Sequence, residues 1–352
     1  MGMSAKWKTR FRPAELISVA GVLLLSFLVG GLVLAIAGYN PFEAYAALAK
    51  GSFGSLDAVA NTLAKATPLL FTGLAVAIAF RGGMFNIGAE GQLYLGALTA
   101  ALVGIYLNGV PGFLHIAIAM LLAGIAGALW SSIAGWMKVK WNAHEVIVTI
   151  MLNYIAISLT DYLVNYSFKA EGMVVRTEEI AKSMRLLQIV PHSYWTIGFF
   201  FALAAAGFAY WYFKYTVDGY EIRAVGSNAA AARTGGVSVG RRIVLVMLIS
   251  GAFAGFAGAV EVMGVHHYFI KGLSPGYGFD GIAVAVLAKN HPLGVIVSAI
   301  LFGALRSGSM LLDRETDVPG DFVVIIQALV ILFVAIPWLF RYVRLKKRGD
   351  AR

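Results

Sequence analysis

The chain has 352 residues, of which 59% are hydrophobic and only 13% are charged, about half of the roughly 25% that is usual in soluble domains. Lys and Arg outnumber Asp and Glu by 28 to 18, which gives a formal charge of +10, and there is no Cys. This composition excludes a water-soluble enzyme and a disulfide scaffold, and it also excludes thiolate and iron–sulfur chemistry.

Ten hydrophobic segments, read with a window of about 19 residues, predict an all-α polytopic helical bundle that forms one transmembrane domain over residues 1–352. The first, Leu16–Gly38, follows a basic stretch (1–15) and is too long for a signal peptide, so we interpret it as a retained first helix. The other nine, in chain order, are Ala58–Phe80, Gly91–Leu107, Leu114–Met137, Val146–Leu163, Tyr194–Phe213, Ile243–Val265, Phe279–Ala288, Pro292–Leu312 and Phe322–Phe340. The Phe279–Ala288 segment is too short to span alone, which indicates a discontinuous helix.

The distribution of basic residues predicts the orientation of these segments. An even number of crossings places both termini on one side, and most Lys and Arg residues then fall on that side. By the positive-inside rule, both termini are cytoplasmic, including the basic tail 341–352. We therefore expect a multi-pass protein of the bacterial inner (plasma) membrane.

Three hydrophilic stretches connect the segments. The first, Tyr39–Asp57, should lie outside, with Phe42, Tyr45 and Leu48 suited to the membrane interface. The second, Tyr166–Ser193, should also lie outside, either as a solvated connector or as a surface for a soluble partner. The third, residues 214–242, is the largest cytoplasmic loop.

The cytoplasmic loop contains a short predicted helix. Ser227 or Asn228 can cap its N-terminus, four alanines and Arg233 follow, and Gly235 with Gly236 supplies a left-handed stop. An alanine helix of two turns is marginal in water and has no apolar face to bury on its own bundle. Docking onto a partner and an ordinary connector both remain open from these residues.

The sequence lacks the motifs that mark nucleotide-binding, metal-binding and catalytic sites. There is no G-x-x-x-x-G-K-[ST] phosphate loop, and the G-x-G-x-x-G spacing at Gly276, Gly278 and Gly281 follows no strand, which argues against a dinucleotide site. The six His residues form no i, i+4 pair for a metal, and no nucleophile has a recognisable base. We therefore predict no catalytic residue, no metal and no cofactor of the chain's own.

Polar residues inside the membrane mark the candidate transport route. The run Gly82–Gln92 combines four glycines with Asn86, Glu90 and Gln92, so it makes a poor continuous helix. Irregular backbone at membrane depth is tolerated where protein buries it or where it lines a water-filled cavity. A short polar turn at the cytoplasmic surface is the alternative.

A second break, Lys271–Asn290, precedes and includes the short segment that carries Asp280, and we expect this half-helix to face the first break. Asp161 and Glu261 lie near the outer ends of their segments and are expected to be solvated. A pairing of Glu261 with Arg306 is a second hypothesis. Three glycines four or three residues apart predict a face for close helix packing: Gly251, Gly255 and Gly258.

Several strings together resemble one known family. They are GGMFNIGAEGQLYLGA (82–97), HEVIVTIMLNYIA (144–156), GYEIRAVGSNAAAARTGG (219–236), SGAFAGFAGAVE (250–261) and GFDGIAVAVLAKNHPLG (278–294). In this order they resemble the permease subunits of bacterial nucleoside ABC importers, within a broader group of permeases for simple sugars and branched-chain amino acids. The resemblance runs from about Gly38 to Phe340.

The resemblance implies a pore of two permease subunits, identical or related, with cytoplasmic ATPase subunits that bind ATP and an extracytoplasmic lipoprotein that delivers the nucleoside or simple sugar. No nucleic acid is implied. It makes the cytoplasmic loop a coupling segment that docks on the ATPase through Glu221, Arg223, Gly226, Asn228, Ala230, Ala231, Arg233 and Gly235. It gives the first break a role in the substrate pathway, with hydrogen-bonding and aromatic groups from Phe85, Asn86, Glu90, Gln92 and Tyr94. Asn153 in the fifth segment and Asp280 in the second break complete the predicted pathway as polar residues within the membrane.

Two other classes of function remain as alternatives. An ion-coupled secondary transporter would also have broken helices, and Glu90 or Glu261 would then carry protons. A membrane-embedded transferase would need a charged catalytic cluster at the interface, which the sequence does not offer.

Overall fold

The computed structural model describes residues 13–107, 109–191 and 193–333. Within these ranges the chain is helical and has no β-strand, only two isolated bridges, Arg176 with Ile270 and Gln188 with Thr196. The helices are α1 (Pro13–Ile36), α2 (Pro41–Phe53), α3 (Leu56–Arg81), α4 (Ala89–Tyr106), α5 (Gly112–Trp141), α6 (Glu145–Tyr166), α7 (Gly198–Tyr215), α8 (Val217–Ser227), α9 (Ala229–Thr234), α10 (Val239–Glu261), α11 (Tyr277–Leu287), α12 (Pro292–Glu315) and α13 (Phe322–Phe333, as far as it is described).

Nine of the predicted hydrophobic segments coincide with helices, namely α1, α3 to α7 and α10 to α12, and the described part of the tenth coincides with α13. Five of the described helices are long and apolar enough to cross a membrane by themselves, namely α3, α5, α6, α10 with its π-helical extension to His266, and α12. The all-helical class is therefore confirmed, whereas the count of ten crossings stays a prediction. Residues 1–12 of the basic N-terminal stretch and the whole tail 341–352 lie outside the described residues.

Close contacts between glycine faces place α10 at the centre of the bundle. Gly251 packs on the backbone of Gly127 in α5 so tightly that a Cβ atom on either residue would overlap the other's carbonyl oxygen. Gly258 sits equally close to the carbonyl oxygen of Leu93 in α4. The predicted small-residue face is thus confirmed, and it lets three helix backbones approach without intervening side chains.

The stretch predicted to lie in the interface forms α2, and this helix packs on α12. Asn40 caps it by accepting a hydrogen bond from the backbone N–H of Phe42 at 3.1 Å. Leu48 is buried in an apolar cluster with residues of α12, and the Ser52 hydroxyl donates to the carbonyl oxygen of Ala304 at 2.6 Å. Of the three residues predicted for the interface only Phe42 is widely exposed, and the prediction was wrong for Leu48, because that side chain packs on α12.

The two ends of the bundle differ in charge. We call the end formed by Arg81, Lys138 and Arg242 the basic end; there Gly240 of α10 lies against Val139 of α5. The segment 167–197 packs at the opposite end, where the backbone N–H of Thr177 donates to the carbonyl oxygen of Phe269 at 2.9 Å. The predicted cytoplasmic loops gather at the basic end.

Candidate functional site

The first polar break connects α3 to α4 through residues 82–88 at the basic end. Gly83 adopts a positive φ of 75°, a conformation that suits glycine, and the N–H of Met84 returns to the carbonyl oxygen of Ala79 at 3.0 Å. The predicted interruption of the helix is therefore confirmed. Gly83 also lies against the backbone of Gly226 in α8, so the break touches the cytoplasmic loop.

A reciprocal pair of amide side chains holds this break. Asn86 Nδ2 donates to Gln92 Oε1 at 2.9 Å, and Gln92 Nε2 donates back to Asn86 Oδ1 at 3.0 Å. Asn86 Nδ2 also donates to the Ser250 hydroxyl of α10 at 2.8 Å, and its Oδ1 accepts from the backbone N–H of Gly88 at 3.0 Å. Because Asn86 is buried and all its donors and acceptors are used, it stabilises the turn against α10.

Asn153 of α6 binds the same break from the other side. Its Oδ1 accepts from the backbone N–H of Gly91 at 2.7 Å, and its Nδ2 donates to the carbonyl oxygen of Ile87 at 2.7 Å. Backbone groups freed by the interruption would be costly if left unpaired in a membrane interior. Asn153 therefore satisfies one group on each side of the N-terminus of α4.

Glu90 joins the first break to the second. Its Oε2 accepts from the backbone N–H of Gly278 at 2.5 Å, and the Ser274 hydroxyl also hydrogen-bonds to its carboxyl group. Glu90 lies in the first turn of α4, and Gly278 lies in the first turn of α11. Since a helix N-terminus favours negative charge, one buried carboxylate stabilises two N-termini. The prediction that the short half-helix faces the first break is confirmed by this contact.

Arg306 of α12 fixes the segment that enters α11. Its Nη2 lies 2.6 Å from Asp280 Oδ2 and donates to the carbonyl oxygen of Pro275 at 3.0 Å, while Nε donates to the same Asp280 oxygen at 2.8 Å. The guanidinium also stacks 5.0 Å from the centre of the Tyr277 ring. Arg306 thus contacts a carboxylate, a carbonyl group and an aromatic ring within six consecutive residues.

These contacts overturn two expectations about the acidic residues. Arg306 pairs with Asp280, so the hypothesis of a Glu261–Arg306 pair was wrong. Glu261 is not solvated as expected: α10 continues past it as a π-helix, its side chain is buried, and Oε2 lies 3.6 Å from Nε2 of His266. Asp161 keeps partial exposure and lies 3.6 Å from Lys271 Nζ.

The remaining two predicted pathway residues are aromatic and lie apart from each other. Tyr94 is buried beside Glu90, with its hydroxyl 3.4 Å from the carbonyl oxygen of Ser274 and its ring edge-on to Phe269. Phe85 is 44% exposed at the basic end, and its ring centroid lies 4.3 Å from that of Phe80. Among the seven predicted pathway residues only Phe85 offers a substantial exposed surface. The polar ones hold the two breaks in place.

The cytoplasmic loop contains a helix, α8, that the sequence analysis missed. Thr216 caps it by accepting from the N–H of Gly219 at 3.0 Å, and Asp218 lies in its first turn; this pair is the signal that could have identified it. Arg242 of α10 lies 2.5 Å from both Asp218 Oδ1 and Glu221 Oε2. At the other end of α8, Gly226 lies against the carbonyl oxygen of Arg81 too closely for any Cβ atom.

The predicted coupling helix is α9. Asn228 caps it by accepting from the N–H of Ala231 at 3.0 Å, as predicted, and Gly236 ends it with a φ of 85°. Gly235 has a φ of −78°, so the left-handed stop needs only one of the two glycines. The expectation that the helix buries nothing was wrong for Ala232, which packs between Val225 and Val239.

Of the other predicted coupling residues, some hold α8 to the bundle and the rest are exposed. Glu221 and Gly226 fix α8 to the bundle, and Arg223 Nε donates within α8 to the carbonyl oxygen of Gly219 at 3.2 Å. The exposed ones face away from the bundle: Ala230, Ala231, Arg233 and Gly235. A free surface of this kind is what a docking partner requires.

Comparison with known proteins gives consistent matches. Residues 58–335 match the family described as "Branched-chain amino acid transport system / permease component". The chain is 42% identical to the guanosine ABC transporter permease protein NupP of Bacillus subtilis over 93% of this chain and 95% of that one. It is 33% identical to the glucose ABC transporter permease protein TsgB13 of Haloferax volcanii (94% and 90% covered) and 27% identical to a second guanosine permease of Bacillus subtilis, NupQ (75% and 86% covered). No solved structure matches the chain.

Proposed function

The chain belongs to the family of branched-chain amino acid transport system permease components, and from this we propose that it is the pore-forming permease subunit of an ABC importer that carries nucleosides across the bacterial cell membrane. The guanosine permease NupP is 42% identical to the chain and the glucose permease TsgB13 is 33% identical. This difference favours a nucleoside over a simple sugar as the substrate.

The proposed importer draws its energy from a separate subunit. The sequence contains no phosphate loop, so ATP is bound by a cytoplasmic ATPase partner and the chain itself needs no cofactor. An extracytoplasmic lipoprotein delivers the nucleoside. Bacillus subtilis has two permeases named for guanosine, which match this chain at 42% and 27% identity. That pairing supports a pore built from this chain and a second, related permease.

The geometry of α8 and α9 is the observation that carries this proposal. The exposed alanines of α9 form a small, smooth surface that suits a groove on an ATPase. Behind them, Arg242 ties α8 to α10, and Gly226 seats α8 against the C-terminus of α3 and the first break. A displacement of α9 would therefore reach the break through packed backbone, without any flexible linker in between.

The transmembrane arrangement follows from the same proposal. Ten crossings place both termini in the cytoplasm, and one domain comprises residues 1–352. The proximity of Gly240 to Val139 and of Gly226 to Arg81 supports one cytoplasmic end that includes Lys138, α8 and α9. Opening of the route would exchange the bonds within the cluster made by Asn86, Glu90, Gln92, Tyr94, Asn153 and Asp280, while Phe85 offers an aromatic face at the cytoplasmic exit.

Uptake measurements test this function. Cells without other nucleoside importers would express the chain with its ATPase, a second permease and the lipoprotein, and the uptake of labelled guanosine would be followed. We expect uptake to survive a protonophore while ATP is maintained, and to stop when the phosphate-loop Lys of the ATPase is replaced. Unlabelled nucleosides should compete, and glucose should not. Collapse of uptake by the protonophore at constant ATP would instead indicate an ion-coupled transporter.

A further inference from the structure

One face of α6 carries polar aromatic side chains that no described part of the chain covers. Tyr154, Ser158 and Tyr162 follow each other at four-residue spacing, which places them on one side of the helix. Tyr154 is 66% exposed and Tyr162 is 59% exposed. The opposite side of α6, which includes Asn153 and Ala156, is buried against the first break and α4.

Measured from the start of α6, Tyr154 and Ser158 lie deep in the predicted span, whereas Tyr162, about 26 Å along the helix, lies near its far end. Tyr154 is nine residues from Glu145 at the start of α6, which corresponds to about 13 Å, and Ser158 lies at about 20 Å. Both depths fall well inside a hydrocarbon core of about 30 Å. Tyr normally prefers the membrane interfaces, and a hydroxyl group without a hydrogen-bond partner is costly in hydrocarbon. In the described ranges, the hydroxyl groups of Tyr154, Ser158 and Tyr162 make no hydrogen bond.

The neighbouring helix α5 shows what a lipid-facing surface looks like in this protein. Its uncovered side at similar depth consists of Leu122, Ile125 and Leu129, without a polar atom in any side chain. On α6 itself, Leu159 is exposed but turned about 100° away from Ser158. Ile147 and Met151 share the uncovered side of α6 with these polar residues. The hydroxyl groups of Tyr154 and Ser158 are what distinguish this side from α5, and they indicate contact with water at that depth.

We propose that Tyr154, Ser158 and Tyr162 line the translocation route and contact the nucleoside during passage. The route is closed on its far side by the second permease, so this inference rests on the proposed function. A nucleoside combines a flat aromatic base with a hydroxylated sugar. Tyr rings stack on bases without strong preference among them, and the three hydroxyl groups can bond the sugar or the base edges. The buried amides around the breaks then act as the frame that positions α6.

The absence of Cys from the chain provides a direct test. Single variants Y154C, S158C and Y162C would be made in the complete importer, with any Cys of the partner subunits replaced beforehand. The matched controls are L159C on α6 and L129C on α5. The probe is a charged, membrane-impermeant methanethiosulfonate, which reacts with thiolates in water. We expect the three pathway positions to react at least about tenfold faster than both controls, and saturating guanosine to slow them.

A second measurement separates contact with substrate from mere hydration. Tyr154→Leu should raise the KM for guanosine more than Tyr154→Phe does, because only the former removes the aromatic ring, whereas Leu129→Ala should leave KM unchanged. Reaction rates equal to those of L129C would place the face in lipid and overturn the inference. Disulfide cross-links between Y154C and a Cys introduced into the second permease, without reaction with the probe, would make it a dry subunit interface and would also overturn it. ATP-dependent uptake in the control variants would in either case leave the importer assignment intact.

Discussion

The carboxylate of Glu90 accepts a hydrogen bond from the backbone N–H of Gly278 at 2.5 Å, across 188 positions of sequence. This bond connects the N-termini of α4 and α11, the two helices that follow the breaks. Each N-terminus carries unpaired N–H groups and a partial positive charge. A single buried carboxylate therefore stabilises both breaks and makes their positions dependent on each other.

The first prediction concerns this bond. Glu90→Leu removes the acceptor and leaves the Gly278 N–H unpaired in a buried position, at a cost of about 1–3 kcal/mol. Glu90→Gln keeps an acceptor oxygen without the charge. We expect uptake to fall sharply in the Leu variant and less in the Gln variant, with both inserted in the membrane; thermal unfolding in detergent should follow the same order. Equal uptake in both variants and the natural chain would remove Glu90 from the mechanism.

The second prediction uses the close approach at Gly278. A Cβ atom there would overlap the backbone of Glu90, so Gly278→Ala must push α11 away from α4. We expect the variant to lose most of its uptake and to unfold at a lower temperature. Gly207→Ala in α7 is the matched control, since a Cβ atom at Gly207 meets nothing within 4 Å and Ala is the better helix former. Similar behaviour of the two variants would contradict the tight packing of the breaks.

The third prediction concerns the amide pair. Asn86→Leu leaves the partner groups on Gln92, Ser250 and Gly88 without their bonds inside the bundle. We expect reduced uptake in a protein that is inserted and assembled, together with a lower unfolding temperature, because the residue holds the turn at the end of α3. Loss of expression would indicate a purely structural role, and normal uptake would exclude this segment from the route. Labelled guanosine uptake, normalised to membrane-inserted protein, distinguishes the three results.

Continuous hydropathy made the long helices predictable, since spans such as α3 and α12 begin and end within a few residues of the predicted segments. The amphiphilic α8 was not predicted, because its apolar partners lie on other helices: Val225 packs with Ala232 of α9 and Val239 of α10. The hydrogen-bond partners could not be predicted for a related reason: Asn86 donates to Ser250, which lies 164 positions away in the sequence. Composition indicated that Asn86 and Glu90 lie at an important break. Only the packed helices determine that Asn86 binds Gln92 and Ser250 and that Glu90 binds the backbone of Gly278, instead of facing open water.

The fourth prediction concerns topology. Reporter tags at Lys138 and Gly236 should appear cytoplasmic, and tags at Glu178 and Asp317 should appear outside. The structure places Lys138 and α9 at the basic end, while the segment around Glu178 packs on Phe269 at the opposite end. Protease protection or alkaline phosphatase fusions would measure this. A cytoplasmic tag at Glu178 would contradict the orientations of α6 and α7.

The last prediction tests coupling to the ATPase. Ala230 and Ala231 are exposed on α9. Replacing both with Asp puts charge on the surface that would enter the groove of the ATPase, where burying an unpaired carboxylate is costly. Insertion and folding should be unaffected, because neither side chain packs on the bundle. We expect the double variant to lose both co-purification with the ATPase and guanosine uptake. Ser238→Asp is the control, since it adds charge at an exposed position before α10 where Asp suits a helix N-terminus. A secondary transporter would tolerate both changes, so normal uptake by the double variant would refute the coupling role of α9.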